Sequence, residues 1–368
     1  MVVIPPMRAA LLPLLVLAVG CSRRGTPAVI GLSYDPISRN VAAARLAAAD
    51  LARSGEQRPI ELALDSSLVG DTPDLDVRRA ERFVARPEVL AVVGPSNSRG
   101  ALAAAPVYNA AGLAQLSPQA TSRLLGEVDG RTFTMVPNDS IEGAFLGRFI
   151  AEQLAPKVIT IYFVNDEYGI GLRDGVEAAL RRHHLPVADR VPFSTGGDFD
   201  VLVRTSMRRA RADLVVVAGR VAAAGAILTA AHALNPDVRV VAGDGALVPD
   251  RLGQIPDTVL RSLYLVSLWQ PDPRDSATLE FRRRFRALIG REAEPADAYV
   301  YDAIMTAAAA IRAAGTGRSA VASWLASLGG SRPAYRGITG PVSFGSRAAA
   351  HMSIVQVRDG HPVPVGSR

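Results

Sequence analysis

One cysteine, one lysine and few aromatic residues set the first limits on this 368-residue chain. A single Cys21 excludes a disulfide within the fold and any cysteine-rich zinc module. Phe, Trp and Tyr make up only 5% of the sequence, so a site walled chiefly by aromatic rings is not expected. The histidines, at 183, 184, 232, 351 and 361, form no i, i+4 pair that would hold a metal on one helix. Gly94-Pro95-Ser96-Asn97-Ser98 lacks the second glycine of a nucleophile elbow, and Gly169-Ile170-Gly171 has Asp174 where a dinucleotide fingerprint needs its third glycine. The chain is therefore expected to be no enzyme and to carry neither cofactor nor metal. Lys157 is the only lysine among 41 basic residues, and the formal net charge is +6. Such an Arg- and Ala-rich bias reflects base composition of the genome rather than a nucleic-acid surface. The arginine-rich run from Phe281 to Arg286 is expected to be a solvated helix face, with docking on a partner protein as the alternative.

What is present begins with the leader. Met1 to Arg8 carries one positive charge, and Ala9 to Gly20 is apolar with one proline. That run falls short of the roughly 18 residues of a membrane-spanning helix and reads as a signal-peptide core. Leu17-Ala18-Val19-Gly20-Cys21 resembles the lipobox of a bacterial lipoprotein, with Ala18 where leucine is more usual. The resemblance implies residues 1–20 as signal peptide, lipidation at Cys21 and a tether over 21–27. An ordinary cleaved signal with a chance cysteine is the alternative.

Beyond the leader, some 340 residues call for two lobes of about 150 each. Short β-rich runs alternate with amphipathic stretches. Ala28 to Asp35, Ile60 to Ser66, Val89 to Pro95, Leu113 to Pro118 and Thr132 to Pro137 read as strands, with helices near 38–54, 75–86, 97–111 and 119–125. In a second series, Val158 to Val164, Val187 to Phe193, Asp213 to Ala218 and Arg239 to Ala242 are separated by helices near 140–155, 169–184, 199–211 and 221–234. Leu263 to Trp269 then returns toward the first sheet, helices follow over 274–290 and 296–314, and a last strand runs from Ser353 to Val357. Continuous apolar strands alternating with helices predict parallel sheets covered on both faces, an α/β fold.

Within the first series, the run from Val92 to Thr121 places Ser96, Asn97 and Ser98 at one strand end and Ser117 and Thr121 at the next. Two neighbouring strand ends thus present hydroxyls and free backbone N–H groups to one crevice, which suits a small anionic group.

This run resembles the signature of the branched-chain amino acid type of ABC-transporter solute-binding protein, a type I periplasmic binding protein. Further matches are Asp166 to Gly171, Gly197-Asp198-Phe199, Asp213 to Gly219, Tyr301-Asp302-Ala303 and Gly337 to Gly345. The resemblance implies two Rossmann-like lobes joined by a three-crossover hinge, lobe 1 from 28–138 and 268–345 and lobe 2 from 139–267 and 346–368. It places Ser98 and Thr121 on the ligand's α-carboxylate, a backbone carbonyl at Gln119 on its ammonium, Tyr168 over the ligand and Asp244 against the ammonium. Simple capping for Ser98 and Thr121, packing for Tyr168 and a turn role for Asp244 are the structural alternatives. Arg220 either faces solvent or brings a positive charge into the cleft, and Tyr34 reaches in from a short first loop. The implied protein captures an amino acid or organic acid outside the cytoplasm, is held to a membrane by its lipid and hands its ligand to an ABC permease. A non-transport sensor or an envelope interaction protein of the same fold is the rival reading.

Overall fold

The computed structural model describes residues 27–54, 59–128, 130–344 and 352–365. The leader and Cys21 lie outside the described residues. The first series gives β1 (Ala28–Leu32), α1 (Val41–Arg53), β2 (Ile60–Leu64), α2 (Pro73–Val84), β3 (Val89–Val93), α3 (Ser98–Ala110), β4 (Ala114–Ser117) and β5 (Thr132–Thr134). Its strands form a five-stranded parallel sheet in the order β2-β1-β3-β4-β5. Central β3 is an unbroken Val-Leu-Ala-Val-Val run with every residue buried, because helices cover both faces.

The chain then enters a second unit: α4 (Asp139–Phe149), continued by a π-helical turn over Ile150–Leu154, then β6 (Ile159–Val164), α5 (Glu167–Arg182), β7 (Val187–Phe193), α6 (Phe199–Ala210), β8 (Leu214–Ala218), α7 (Val221–Leu234), β9 (Arg239–Ala242), the short helices α8 (Pro249–Leu252) and α9 (Asp257–Leu260), and β10 (Leu263–Ser267). Three helices, α10 (Ser276–Ile289), α11 (Pro295–Ala314) and α12 (Arg318–Ala326), return to the first sheet, α11 packing on β1, β3 and α1, and α12 on β3 and β4. A small hairpin, β11 (Tyr335–Gly337) and β12 (Gly340–Val342), follows, and β13 (Ser353–Arg358) and β14 (His361–Pro364) complete the second sheet. Its order is β14-β13-β10-β9-β8-β6-β7, antiparallel only at β10/β13 and β13/β14. The molecule is thus two α/β lobes. The chain passes between them near 135–138 and 268–275, and the expected third passage falls on residues 345–351, outside the described residues.

Two expectations need correction. Leu263 to Trp269 does not head for the first sheet: Leu263–Ser267 pairs with β9 and β13 in the second, and the return begins only after Ser267. No helix covers 119–125. The amides of Thr121 and Ser122 both donate to the Ser98 hydroxyl, which holds the segment open until a 3-10 turn at Arg123–Gly126. The arginines of α10 carry acidic partners on a partly exposed face. Arg282 and Arg286 pair with Glu292, Arg283 with Glu280 and Arg284 with Asp50.

Candidate ligand-binding cleft

The loops leaving the carboxyl ends of β1, β3, β4, β6, β8 and β9 converge on one cleft of about 400 Å³, where open α/β sheets place ligands. All seven residues singled out in the sequence, Tyr34, Ser98, Gln119, Thr121, Tyr168, Arg220 and Asp244, line it. Leu247, Val248, Val266, Leu268 and Tyr299 supply an apolar wall.

On the first lobe, Asn97 rather than Ser98 caps α3, its side chain accepting the Gly100 N–H at 2.7 Å. Ser98 is therefore not spent on capping. Its buried Oγ accepts the N–H groups of Thr121 at 3.2 Å and Ser122 at 3.1 Å, tying α3 to the end of β4. A hydroxyl that accepts twice still has its own proton to donate. The Thr121 hydroxyl is buried with no hydrogen-bond partner among the described residues. Gln119 donates from Nε2 to Asn40 Oδ1 at 3.3 Å, and Asn40 donates onward to Ser96 at 2.8 Å, a chain that braces the two loops. Tyr34 is buried at the cleft edge, and burial pushes its hydroxyl pKa up, against a smaller lowering by Ser96.

On the second lobe, Asp166 caps α5 through Oδ1 to the Gly169 N–H at 2.9 Å, and its Oδ2 pairs with Arg220 at 2.8 Å. The same guanidinium stands over the Tyr168 ring, 5.5 Å from its centroid. Arg220 thus has both an ionic and an aromatic partner at the cleft, so its charge is largely answered before any ligand arrives. Tyr168 donates its hydroxyl to Asp244 Oδ1 at 3.0 Å and accepts the Gly245 N–H at 3.1 Å. Its role is more than packing beside a turn.

Behind this surface lie two carboxyl groups that sequence reasoning missed. Glu142 is fully buried and accepts the Asp244 N–H through Oε1 at 2.8 Å, while Oε2 has no partner among the described residues. Asp139 is 1% exposed, and neither of its oxygens has a hydrogen-bond partner among the described residues. Burial pushes Asp139 up to about 7, the Thr121 hydroxyl opposing and the Asp244 and Asp166 charges adding. Burial also drives Glu142 well above the usual carboxylate range, with the Asp244 charge next in weight. For Asp244 itself burial again raises the pKa, against hydrogen bonds from Tyr168 and Gly245.

Glycines make this proximity possible. A Cβ on Gly243 would stand 2.4 Å from Leu172 Cδ2, 2.7 Å from the Tyr168 hydroxyl and 3.0 Å from Glu142 Oε1. Helices α4 and α5 meet backbone to backbone, a Cβ on Gly143 falling 2.5 Å from the carbonyl carbon of Gly175. Their N-terminal turns, carrying Asp139 and Glu142 on one and Tyr168 on the other, are thereby drawn onto the same floor.

Comparison with known proteins agrees with this arrangement. The family model described as periplasmic binding protein matches residues 33–362. The chain belongs to the periplasmic binding protein family. An amino acid binding protein of Pseudomonas aeruginosa is 29% identical over 263 residues, covering 69% of this chain and 68% of that protein. The Leu/Ile/Val-binding protein homolog 1 of Brucella abortus is 27% identical over 266 residues, covering 72% and 69%. Among solved structures, a leucine binding protein LivK from Thermotoga maritima superposes with a TM-score of 0.80 at 22% identity, covering 92% of this chain and 97% of that one. A solute binding protein from Rhodopseudomonas palustris in complex with 3,4-dihydroxy benzoic acid does so at 0.77 and 16% identity, covering 92% and 96%. These likenesses establish the type I fold.

In this periplasmic binding protein, the signal for the missed acids was present but ordinary. Asn138-Asp139-Ser140-Ile141-Glu142 reads as a cap followed by first-turn acids, which the helix dipole favours on any surface helix. Only the close approach of α4 to α5 and the loop after β9 turns that pattern inward. Tyr299, whose hydroxyl donates to the Leu268 carbonyl at 2.8 Å, and Glu294, which burial raises, joined the cleft through α11 with no local motif to mark them.

Proposed function

We propose that this periplasmic binding protein is the extracytoplasmic, lipid-anchored capture component of an ABC importer, closing about a hinge on an amino acid. Lobe 1 would comprise 28–138 and 268–345, and lobe 2 139–267 and 346–368. Ser98 and Thr121 receive the α-carboxylate, the carbonyl of Gln119 and the carboxylate of Asp244 receive the ammonium, Tyr168 covers the ligand, and Tyr34 and the Leu247–Leu268 wall meet the side chain. The observation that carries this reading is the polarity of one cleft: hydroxyls at two strand ends of lobe 1 oppose Asp244 and Tyr168 on lobe 2. Closure follows because a ligand touching both lobes binds the closed state better than the open one. The amino acid ligands of relatives point the same way.

A thermal-shift screen of amino acids and small organic acids tests the reading, since ligand at about a hundred times its Kd adds roughly 2.7 kcal/mol of stability. Calorimetry on the best hit then tests the clamp. Alanine at Ser98 or Thr121 removes a charge-assisted hydrogen bond of about 1.5–3 kcal/mol and should weaken binding roughly ten- to a hundredfold. Unchanged affinity in both variants would return these residues to structure alone. An organic acid remains the second reading because a structural neighbour holds 3,4-dihydroxy benzoic acid. Asp244→Asn should cost more affinity than Arg220→Gln for an amino acid, and less for an amine-free acid. The anchor is tested apart: Cys21→Ser should release the protein from the membrane fraction or block its processing.

A further inference from the structure

Glu142 and Asp139 have no place in the ligand contacts proposed above, yet they are among the most deeply buried charged groups of the chain. Glu142 Oε1 accepts the Asp244 N–H at 2.8 Å, which sets the two carboxyl groups side by side in the floor of the cleft. Two carboxyl groups so placed repel when both are ionised, and without a cation between them one of the two holds its proton more tightly. The groups facing the pair supply almost none. From α4 comes Asp139, from α5 Tyr168 and the charge of Asp166, from the end of β4 the Thr121 hydroxyl, and from α11 Tyr299. The Arg220 guanidinium, whose charge lowers Asp244, is already paired with Asp166 at 2.8 Å and lies at the solvent side. No group of acidic and histidine side chains among the described residues is disposed to hold a metal ion. Several buried oxygens that point into this cluster, Glu142 Oε2, both of Asp139 and Thr121 Oγ1, have no hydrogen-bond partner among the described residues.

We propose that Glu142 holds a proton in the ligand-free protein, donates it in a hydrogen bond to Asp244, and loses it to bulk water when a cationic ligand group docks on Asp244. Capture of the ligand is then coupled to proton release. The reading rests on the ammonium-bearing ligand proposed above and adds the regulation of its site. Charge balances at each stage: the ligand-free pair carries one negative charge, and the liganded pair carries two against the ammonium's one positive. The pKa directions agree, since Glu142 is raised by burial and by the Asp244 charge, and a cation within 4–6 Å lowers a carboxyl by roughly 1–3 units. Affinity should therefore fall as the pH falls, because protons and ligand compete for the pair. Glu142 acts through Asp244 and is a positioning residue rather than a ligand contact.

Titration calorimetry of the best amino-acid hit, run between pH 6 and 8 in buffers of different ionisation enthalpy, counts the protons exchanged. Wild type is expected to release up to one proton per ligand and to bind about tenfold more weakly at the acid end. Glu142→Gln keeps a neutral donor to Asp244 and should release clearly fewer protons than wild type, with Asp139 as the source of any remainder, a loss that packing changes alone do not produce. Amino-acid binding by wild type without proton exchange, or exchange by Glu142→Gln equal to wild type, would overturn the inference. Should Glu142→Gln fail to fold, an amine-free acid that binds wild type serves instead, and it should release no proton. If no amine-bearing compound binds at all, the amino-acid reading falls. The shared proton is then still decided by infrared spectroscopy of the ligand-free protein: the C=O stretch of a protonated carboxyl at pH 8, moved by exchange into D2O, is expected, and its absence counts against the inference.

Discussion

A buried acid that no cation answers leaves its mark on stability before it does on binding. Burial raises Asp139 from the ordinary carboxylate value of 3.8 to about 7. The folded state therefore holds its proton more tightly than the unfolded chain does, and the associated stability is fully present below pH 4. It is lost as pH rises from there through about 7, where the folded carboxyl must ionise in a site that cannot solvate it. Asp139→Asn keeps the shape and removes the titration. It should stabilise the protein by roughly 2–4 kcal/mol at pH 8 and by little or nothing at pH 4, read from urea unfolding at both pH values. A pH-independent difference would mean that Asp139 acts through packing and not through its charge. Asp302 follows the same rule in a better-satisfied setting. Burial raises it to about 6, but the amides of Ile338 and Thr339 and the Thr339 hydroxyl all donate to it, so its loss pins the β11–β12 hairpin less firmly to α11.

At the scale of elements, the strands and long helices could be read from periodicity because local pattern and tertiary burial agree there. The unbroken apolar runs of β3 and β8 need both faces covered, and the series of βα units supplies the cover. The lobe-1 half of the site was readable for the same reason, since Ser98 and Thr121 sit at strand ends whose position the pattern fixes. The segment 119–125 misled because Ser98 takes the two amides that would have begun a helix, a contact between residues 23 and 24 apart in sequence. Asp139 and Glu142 were hidden because the α4/α5 contact depends on glycines, which carry no periodic signal. That contact is itself testable. Gly143→Ala would put a Cβ 2.5 Å from the α5 backbone, which has no side chain to move aside. Overpacking of this kind costs about 1–3 kcal/mol. The variant should unfold at lower urea with an unchanged slope and should also lose ligand affinity, because Tyr168 is displaced from Asp244; a neutral result would show that the helices can slide apart freely.

At the scale of the whole molecule, an ion pair among the described residues crosses from one lobe to the other beside the cleft. Arg39, in the loop before α1 on the first lobe, reaches Asp250 on α8 of the second at 2.8 Å and Glu294 at the start of α11 at 3.2 Å. Glu294 is largely shielded, with 13% of its side chain exposed, whereas Asp250 is 63% exposed. The Arg39–Glu294 contact stays with the first lobe and orients the guanidinium. The Arg39–Asp250 contact joins the lobes and, on the proposed hinge motion, would break when they part. Exposed pairs of this kind are worth only about 0–1 kcal/mol, so the bridge would bias the proposed closed state without holding it in the absence of ligand. On the proposed closure mechanism, Arg39→Gln and Asp250→Asn should each weaken ligand binding by up to about fivefold, chiefly through faster dissociation, since contacts with the ligand itself are untouched. The double variant should cost no more than Arg39→Gln alone, because that substitution already removes the bridge to Asp250. Raising the salt to about 1 M, where the Debye length is about 3 Å, should bring wild type and variants together. Stopped-flow dissociation at low and high salt measures this, and additive losses in the double variant would show that the two residues act separately and that no latch spans the cleft.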